Sequence, residues 1–220
     1  MNGTEAKAAA GRKERTAAFS MGCFWSPEAL FGAQEGVLAT QTGYAGGSSE
    51  APTYREMGDH SETVLVRYDA AAVSYEELLR LFREHHDPAN TNGYKGRQYQ
   101  SIVHWSEPEQ LAAIEGWLEE RRLAGLPEPD TEVRELGRFF PAEERHQKHS
   151  LKRYPDAWTK LLGLFPSEAE AESSRLACRL NGLAKGFANR SALLDELERW
   201  TGEAPERRRE LAAAVRSIRW

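Results

Sequence analysis

Cys23 opens the segment Cys23-Phe24-Trp25-Ser26-Pro27-Glu28, a setting in which sulfur chemistry is expected. A thiol attacks as its thiolate, and a helix N-terminus is one of the environments that lower its pKa. Thr16 to Cys23 reads as a short buried strand. Beyond it Ser26 can cap a helix whose first position takes Pro27 and whose first turn holds Glu28. Cys23 therefore falls near a strand-to-helix junction. Phe24 and Trp25 follow it directly, and their aromatic faces could hold a small apolar group beside the sulfur. Residue type alone leaves a plainer reading open, since free cysteines are often buried and Cys-Phe-Trp could simply be core.

The elements that must position Cys23 can be read from periodicity. Gly36 to Tyr44 is a second strand ending in Gly46-Gly47, and the alternation of Glu62 to Tyr68 makes a third. Ser74 to His85 places Tyr75, Leu78, Leu79 and Phe82 at helical spacing, with Ser74 as cap and Glu77 closing a capping box. Gln100 to Trp105 returns as a strand, and Glu107 to Leu123 is a long helix. The order β-α-β-β-α-β-α predicts an α+β two-layer sandwich with a ferredoxin-like core. After Pro141 the character changes. Ala142 to Tyr154 reads as a charged helix, and from Ser167 the chain is helical, with Gly202 to Pro205 separating two short helices. The division expected is a disordered tail over 1–15, a catalytic domain over 16–166 and a helical C-terminal extension over 167–220.

Six short motifs follow one another in order: Gly22 to Trp25, Gly43 to Gly47, Pro52 to Tyr54, Gly58 to Glu62, His86 to Pro88, and Gly96 to Ser101. The series resembles the peptide methionine-(S)-sulfoxide reductases, the A-type family, over about residues 16–150. The resemblance implies that Cys23 attacks the sulfoxide sulfur and is left as a sulfenic acid. It implies that Glu62 is the acid that protonates the sulfoxide oxygen, and that Tyr54 and Tyr99 supply phenolic donors to the same oxygen. Phe24 and Trp25 would cradle the S-methyl group. Without the resemblance Glu62 could be a solvated strand end, Tyr54 a turn aromatic and Tyr99 a packing residue at a strand edge.

Two features depart from the family pattern. Tyr94, in a shortened Asn90 to Lys95 segment, stands about where many members carry an Asp that orients the site; Asp87 reads instead as a cap or turn residue. The Gly-rich C-terminal coil whose cysteines recycle the sulfenic acid in common members is also missing. Cys178, between Arg175 and Arg179 on an expected helix, is the candidate resolving thiol, with an inert packed cysteine as the alternative. In that alternative an external thiol, thioredoxin or a small molecule, reduces Cys23 directly.

Composition limits the remaining options. With 220 residues, 40% of them hydrophobic and 29% charged, the chain suits one main domain with appendages. A net charge of -5 with mixed signs gives no reason to expect a nucleic-acid or membrane partner. Two cysteines are too few for a disulfide framework, and Met1 to Arg15 has no apolar signal core, which suits a cytoplasmic protein. The pairs His146/His149 and His85/His86 lack the carboxylates or cysteines to complete a zinc site, so no metal or other cofactor is expected. The partners expected are free methionine sulfoxide or proteins containing it. Two other functions fit the same residues: a sulfoxide-binding sensor that has lost turnover, and a thiol enzyme for another small sulfoxide.

Overall fold

The structure, a computed structural model, describes residues 13–89, 93 and 96–220. Most of the expected tail, and nearly all of the 90–95 segment with Tyr94, lie outside the described residues. Strand β1 (Glu14–Met21) is followed by helix α1 (Trp25–Gly32), β2 (Val37–Ala45) and β3 (Ser61–Asp69). Helix α2 (Tyr75–Glu84), β4 (Ser101–Trp105) and α3 (Pro108–Leu123) complete the expected succession. The sheet order is β5-β4-β1-β3-β2-β6. Its four central strands pair antiparallel in the order of a ferredoxin-like core, with β1 between β3 and β4. Two short edge strands escape the sequence reading: β5 (Glu132–Glu135), parallel to β4, and β6 (Phe140–Pro141), against β2.

Packing follows the alternation along β1. Ala17, Phe19 and Met21 enter one apolar core with Phe31 of α1 and with Leu78 and Phe82 of α2. Phe19 stacks on Phe31 with ring centroids 4.7 Å apart. The Ser74 capping box at the start of α2 is present with both of its hydrogen bonds.

The expected helix over 142–154 is a correction. A single 3-10 turn (Glu144–His146) is followed by Lys148 in the left-handed region at φ 50°, and only then by a short α4 (His149–Lys152). Side chains interrupt the helix. The Gln147 amide bonds the N–H and C=O of Thr42 at 2.9 Å each, and buried Lys148 reaches Glu28 and the Thr40 carbonyl at 2.7 Å. These long-range bonds hold the segment onto α1 and β2, and a continuous helix would break them.

Helices α5 (Pro155–Leu162), α6 (Glu168–Ser173), α7 (Arg175–Lys185), α8 (Arg190–Arg199) and α9 (Pro205–Ser217) form a second apolar cluster running from Leu151 to Ile218. Arg179 of α7 joins it to the sheet layer. Its guanidinium, 1% exposed, donates to the Gly32 carbonyl at 2.7 Å and the Val37 carbonyl at 3.0 Å, and pairs with Glu196 at 2.8 Å. A cation at the C-terminal carbonyls of α1 is where the helix dipole favours it.

Candidate active site

The turn between β1 and α1 aims the thiol. Gly22 takes φ 79°, a conformation that costs other residues and lets the chain leave the strand and enter the helix within three residues. Helix α1 begins at Trp25 with Phe24 as its cap residue, two residues before the Ser26 cap expected from sequence, and no side-chain oxygen caps it. The open N–H groups at this end are satisfied by the site itself. The Phe24 N–H donates to Glu62 Oε2 at 3.0 Å, and the Trp25 N–H bonds the Cys23 sulfur.

Glu62, near the start of β3, is 1% exposed and so is no solvated strand end. Its other oxygen accepts from Gln98 Nε2 at 2.7 Å. Burial raises its pKa above the ordinary value of 4.5, against the lowering effect of the Gln98 and Phe24 hydrogen bonds. Cys23 is half-buried, and burial likewise pushes its thiol up, opposed by the Trp25 N–H and by the charge of Lys185. The helix N-terminus thus does not suffice to hold a resting thiolate.

Tyr99 ends a 3-10 turn (Arg97–Tyr99) that leads into β4. Its phenol is raised by burial and by a hydrogen bond with Tyr54, and it feels the charges of both Glu62 and Cys23. These interactions bring Cys23, Glu62, Tyr54 and Tyr99 together. Tyr54 is held from both ends: its ring stacks on His146 at 4.6 Å, and its N–H donates to Glu143 Oε1 at 3.1 Å. Glu143 Oε2 accepts from Tyr44 Oη at 2.6 Å. Despite partial burial, these hydrogen bonds keep the Glu143 carboxylate below its ordinary pKa. Trp25 lies flat on His149 at 3.7 Å and donates its indole N–H to His146 Nδ1 at 3.3 Å, while Phe24 is buried 5.4 Å from the His146 ring.

Gln98, Tyr44, Glu143 and His146 are therefore parts of the site that residue chemistry alone did not single out. Gln98 and Tyr44 belong to quoted motifs, and an acid and histidine three apart after the last strand was the available signal for the others. The two histidine pairs have other occupations: His85 and His86 bond backbone carbonyls of their own helix, and His86 Nε2 meets Ser101 Oγ at 2.8 Å. Among the described residues no three His, Cys, Asp or Glu side chains converge as metal ligands. Asp87 accepts from the Ala89 N–H at 3.0 Å, a turn bond.

Cys178 is not brought to Cys23. It is fully buried on α7, 3.5 Å from Thr40 Oγ1, with its backbone against Gly32 at the other end of α1. Both cysteines are free.

A buried carboxyl, a thiol and paired phenols on a mixed sheet of an α+β fold are an arrangement suited to thiol chemistry, and comparison with known proteins gives the class. Residues 15–172 match the family model of peptide methionine sulfoxide reductase. The chain is 42% identical to the peptide methionine sulfoxide reductase of Drosophila melanogaster over 172 residues, 78% of this chain and 68% of that one. It is 40% identical to the Escherichia coli enzyme MsrA over 168 residues, covering 70% and 79% of the two chains. Among solved structures, methionine sulfoxide reductase A of Corynebacterium diphtheriae superposes with a TM-score of 0.55 at 33% identity, over 66% of this chain and 77% of that one. Reduced Mxr1 of Saccharomyces cerevisiae gives 0.58 at 25% identity, over 65% and 87%. The chain belongs to the peptide methionine sulfoxide reductase family. It carries out thiol-dependent reduction of methionine sulfoxide. No helix among the described residues is long and apolar enough to cross a membrane.

Proposed function

We propose that Cys23 is the nucleophile, Glu62 the acid, and Tyr54 and Tyr99 the donors to the sulfoxide oxygen, acting on the S epimer of methionine sulfoxide, free or within proteins. The observation that carries this reading is Glu62: a carboxyl with its pKa raised by burial, hydrogen-bonded to the N–H of the residue next to Cys23. Burial makes such a group hold its proton more tightly than an exposed carboxyl does, which suits it to give that proton to an acceptor oxygen. In the proposed cycle the Cys23 sulfur attacks the sulfoxide sulfur while Glu62 protonates the oxygen. The S–O bond of the substrate breaks and oxygen passes to Cys23. Methionine leaves, its sulfur reduced by two electrons, and Cys23 becomes a sulfenic acid. Phe24 and Trp25 form the apolar wall against which the S-methyl group would rest.

Recycling falls to an external thiol. The burial of Cys178 at the far end of α1 favours direct reduction of the Cys23 sulfenic acid by two reductant thiols, yielding their disulfide and water, over internal disulfide formation. Thioredoxin or a small thiol would serve, in the cytoplasm, and the chemistry requires no metal or organic cofactor. Residues 16–166 would carry the reaction, with 167–220 as a supporting helical extension. Purified protein incubated separately with the S and R sulfoxides and dithiothreitol tests the proposal. Consumption of the S epimer, lost in Cys23→Ser, is expected, and indifference to epimer or survival in Cys23→Ser would overturn it.

A further inference from the structure

Helix α7 belongs to the extension, beyond the residues matched by the family model, yet it reaches the site. It packs along α1 in antiparallel register. Cys178 meets Gly32, Asn181 donates to Glu28 at 3.3 Å, and Gly182 lies so close to Ala29 and Ala33 that a Cβ there would sit 2.7 Å from Ala33 Cβ. One turn beyond Asn181, about 6 Å further along the helix, this register delivers Lys185 to the first turn of α1, which Cys23 precedes. The Lys185 charge is accordingly felt by the Cys23 thiol and by His149, the ring stacked on Trp25. Lys185 is exposed and has no carboxylate partner among the described residues. Two residues on, Phe187 is 38% exposed, its ring 6.4 Å from His85 at the end of α2. The end of α7 thus runs along the rim from the Trp25 side toward α2.

We propose that the end of α7 is a carboxylate-binding subsite of the sulfoxide cleft, in which Lys185 pairs with an acidic group of the substrate and Phe187 lies against the substrate chain. The inference rests on the reading of Cys23 as nucleophile. Three bonds separate a methionine sulfur from its Cα, so with the sulfur at Cys23 the substrate backbone and neighbouring side chains lie at the rim. Several other charged groups near the site are already engaged. Glu62 and Glu143 are hydrogen-bonded, and Arg145 sits over the Tyr54 ring at 5.9 Å and near Glu143 at 3.9 Å. Lys185 is an exposed cation whose charge reaches the Cys23 thiol and which has no carboxylate partner among the described residues. The carboxylate could be a Glu or Asp side chain beside the oxidised methionine, or the α-carboxylate of the methionine itself.

The test compares kcat/KM within one enzyme preparation, with dithiothreitol as uncharged reductant. Substrates are blocked methionine-S-sulfoxide peptides with Glu, Gln or Lys next to the sulfoxide, and one peptide as its C-terminal acid and as its amide. Because each result is a ratio within a preparation, partial misfolding or an altered thiol pKa cancels. Wild type is expected to prefer an acidic over a neutral partner by about two- to fivefold, in keeping with an exposed ion pair, and Lys185→Gln to remove the preference. Lys185→Glu should reverse it toward the Lys peptide, and added salt should weaken both. A preference confined to the Glu peptide assigns a side-chain carboxylate, and one confined to the free acid assigns the α-carboxylate; either supports the subsite. Equal ratios in wild type and Lys185→Glu would overturn it. Absence of turnover on every peptide, or turnover that survives Cys23→Ser, would instead count against the role given to Cys23.

Discussion

The Glu62 carboxyl accepts a hydrogen bond from the Phe24 N–H, 3.0 Å away, so the proposed acid is fastened to the residue adjoining the nucleophile. Phe24 caps α1 and Glu62 lies near the start of β3, so the distance between acid and thiol is set by the packing of a helix end on a strand. A loop need not close to assemble them.

The pH profile should report this pair. Catalysis needs Glu62 protonated and Cys23 ionised, so the working pair carries one proton. Burial raises both pKa values, Glu62 above 4.5 and Cys23 above 9.0. As pH falls through the lower apparent value both groups become protonated, and as it rises through the upper value neither is, which gives a bell-shaped kcat/KM. In Glu62→Gln the alkaline limb should vanish and activity should rise with the thiolate, from a level lower by about 100- to 10,000-fold. An alkaline limb unchanged in Glu62→Gln would assign the acid elsewhere.

Tyr54→Phe and Tyr99→Phe should each lower kcat, by about 100-fold or more for a donor aimed at developing charge on oxygen. The two phenols are hydrogen-bonded to each other, so the double variant should lose less than the product of the single losses. Full multiplicative loss, measured by steady-state kinetics, would mean that they act independently.

Arg179 tests the link between extension and catalytic layer. Arg179→Met leaves Glu196 buried without its main partner and two carbonyls of the α1–β2 connection without a donor, and should cost about 3–5 kcal/mol in chemical denaturation. Removing both charges, in Arg179→Met with Glu196→Leu, should recover most of that loss. No recovery would mean that the carbonyl contacts, rather than the stranded Glu196, account for the cost.

Much of the core was legible because its signals are local. The Ser74 and Glu77 capping box and the alternation of Ser61–Asp69 need only neighbouring residues to form. Glu132–Glu135 was not legible, since it offers a single apolar residue, Val133, among charges, and its pairing with β4 comes from tertiary context. The break at Lys148 is likewise long-range: its partner Glu28 is 120 residues away, and local helix propensity carries no trace of it. In the site, the chemistry-bearing residues stood out by type, whereas their supports did not. Tyr44 and Glu143 lie 99 residues apart and each looks ordinary until the fold brings them within 2.6 Å.

Cys178→Ala should keep turnover with dithiothreitol near the wild-type level while losing on the order of 1 kcal/mol of stability from the small void beside Thr40 and Gly32. A collapse of turnover with stability intact would restore Cys178 as the resolving thiol.

The most direct measurement of the central claim is a single turnover without reductant, followed by intact and peptide mass analysis of both cysteines. The expected result is one methionine released per chain, one oxygen gained on Cys23 and an unmodified Cys178 thiol. Methionine release with Cys23 unmodified, or no release from the S epimer at all, would contradict it.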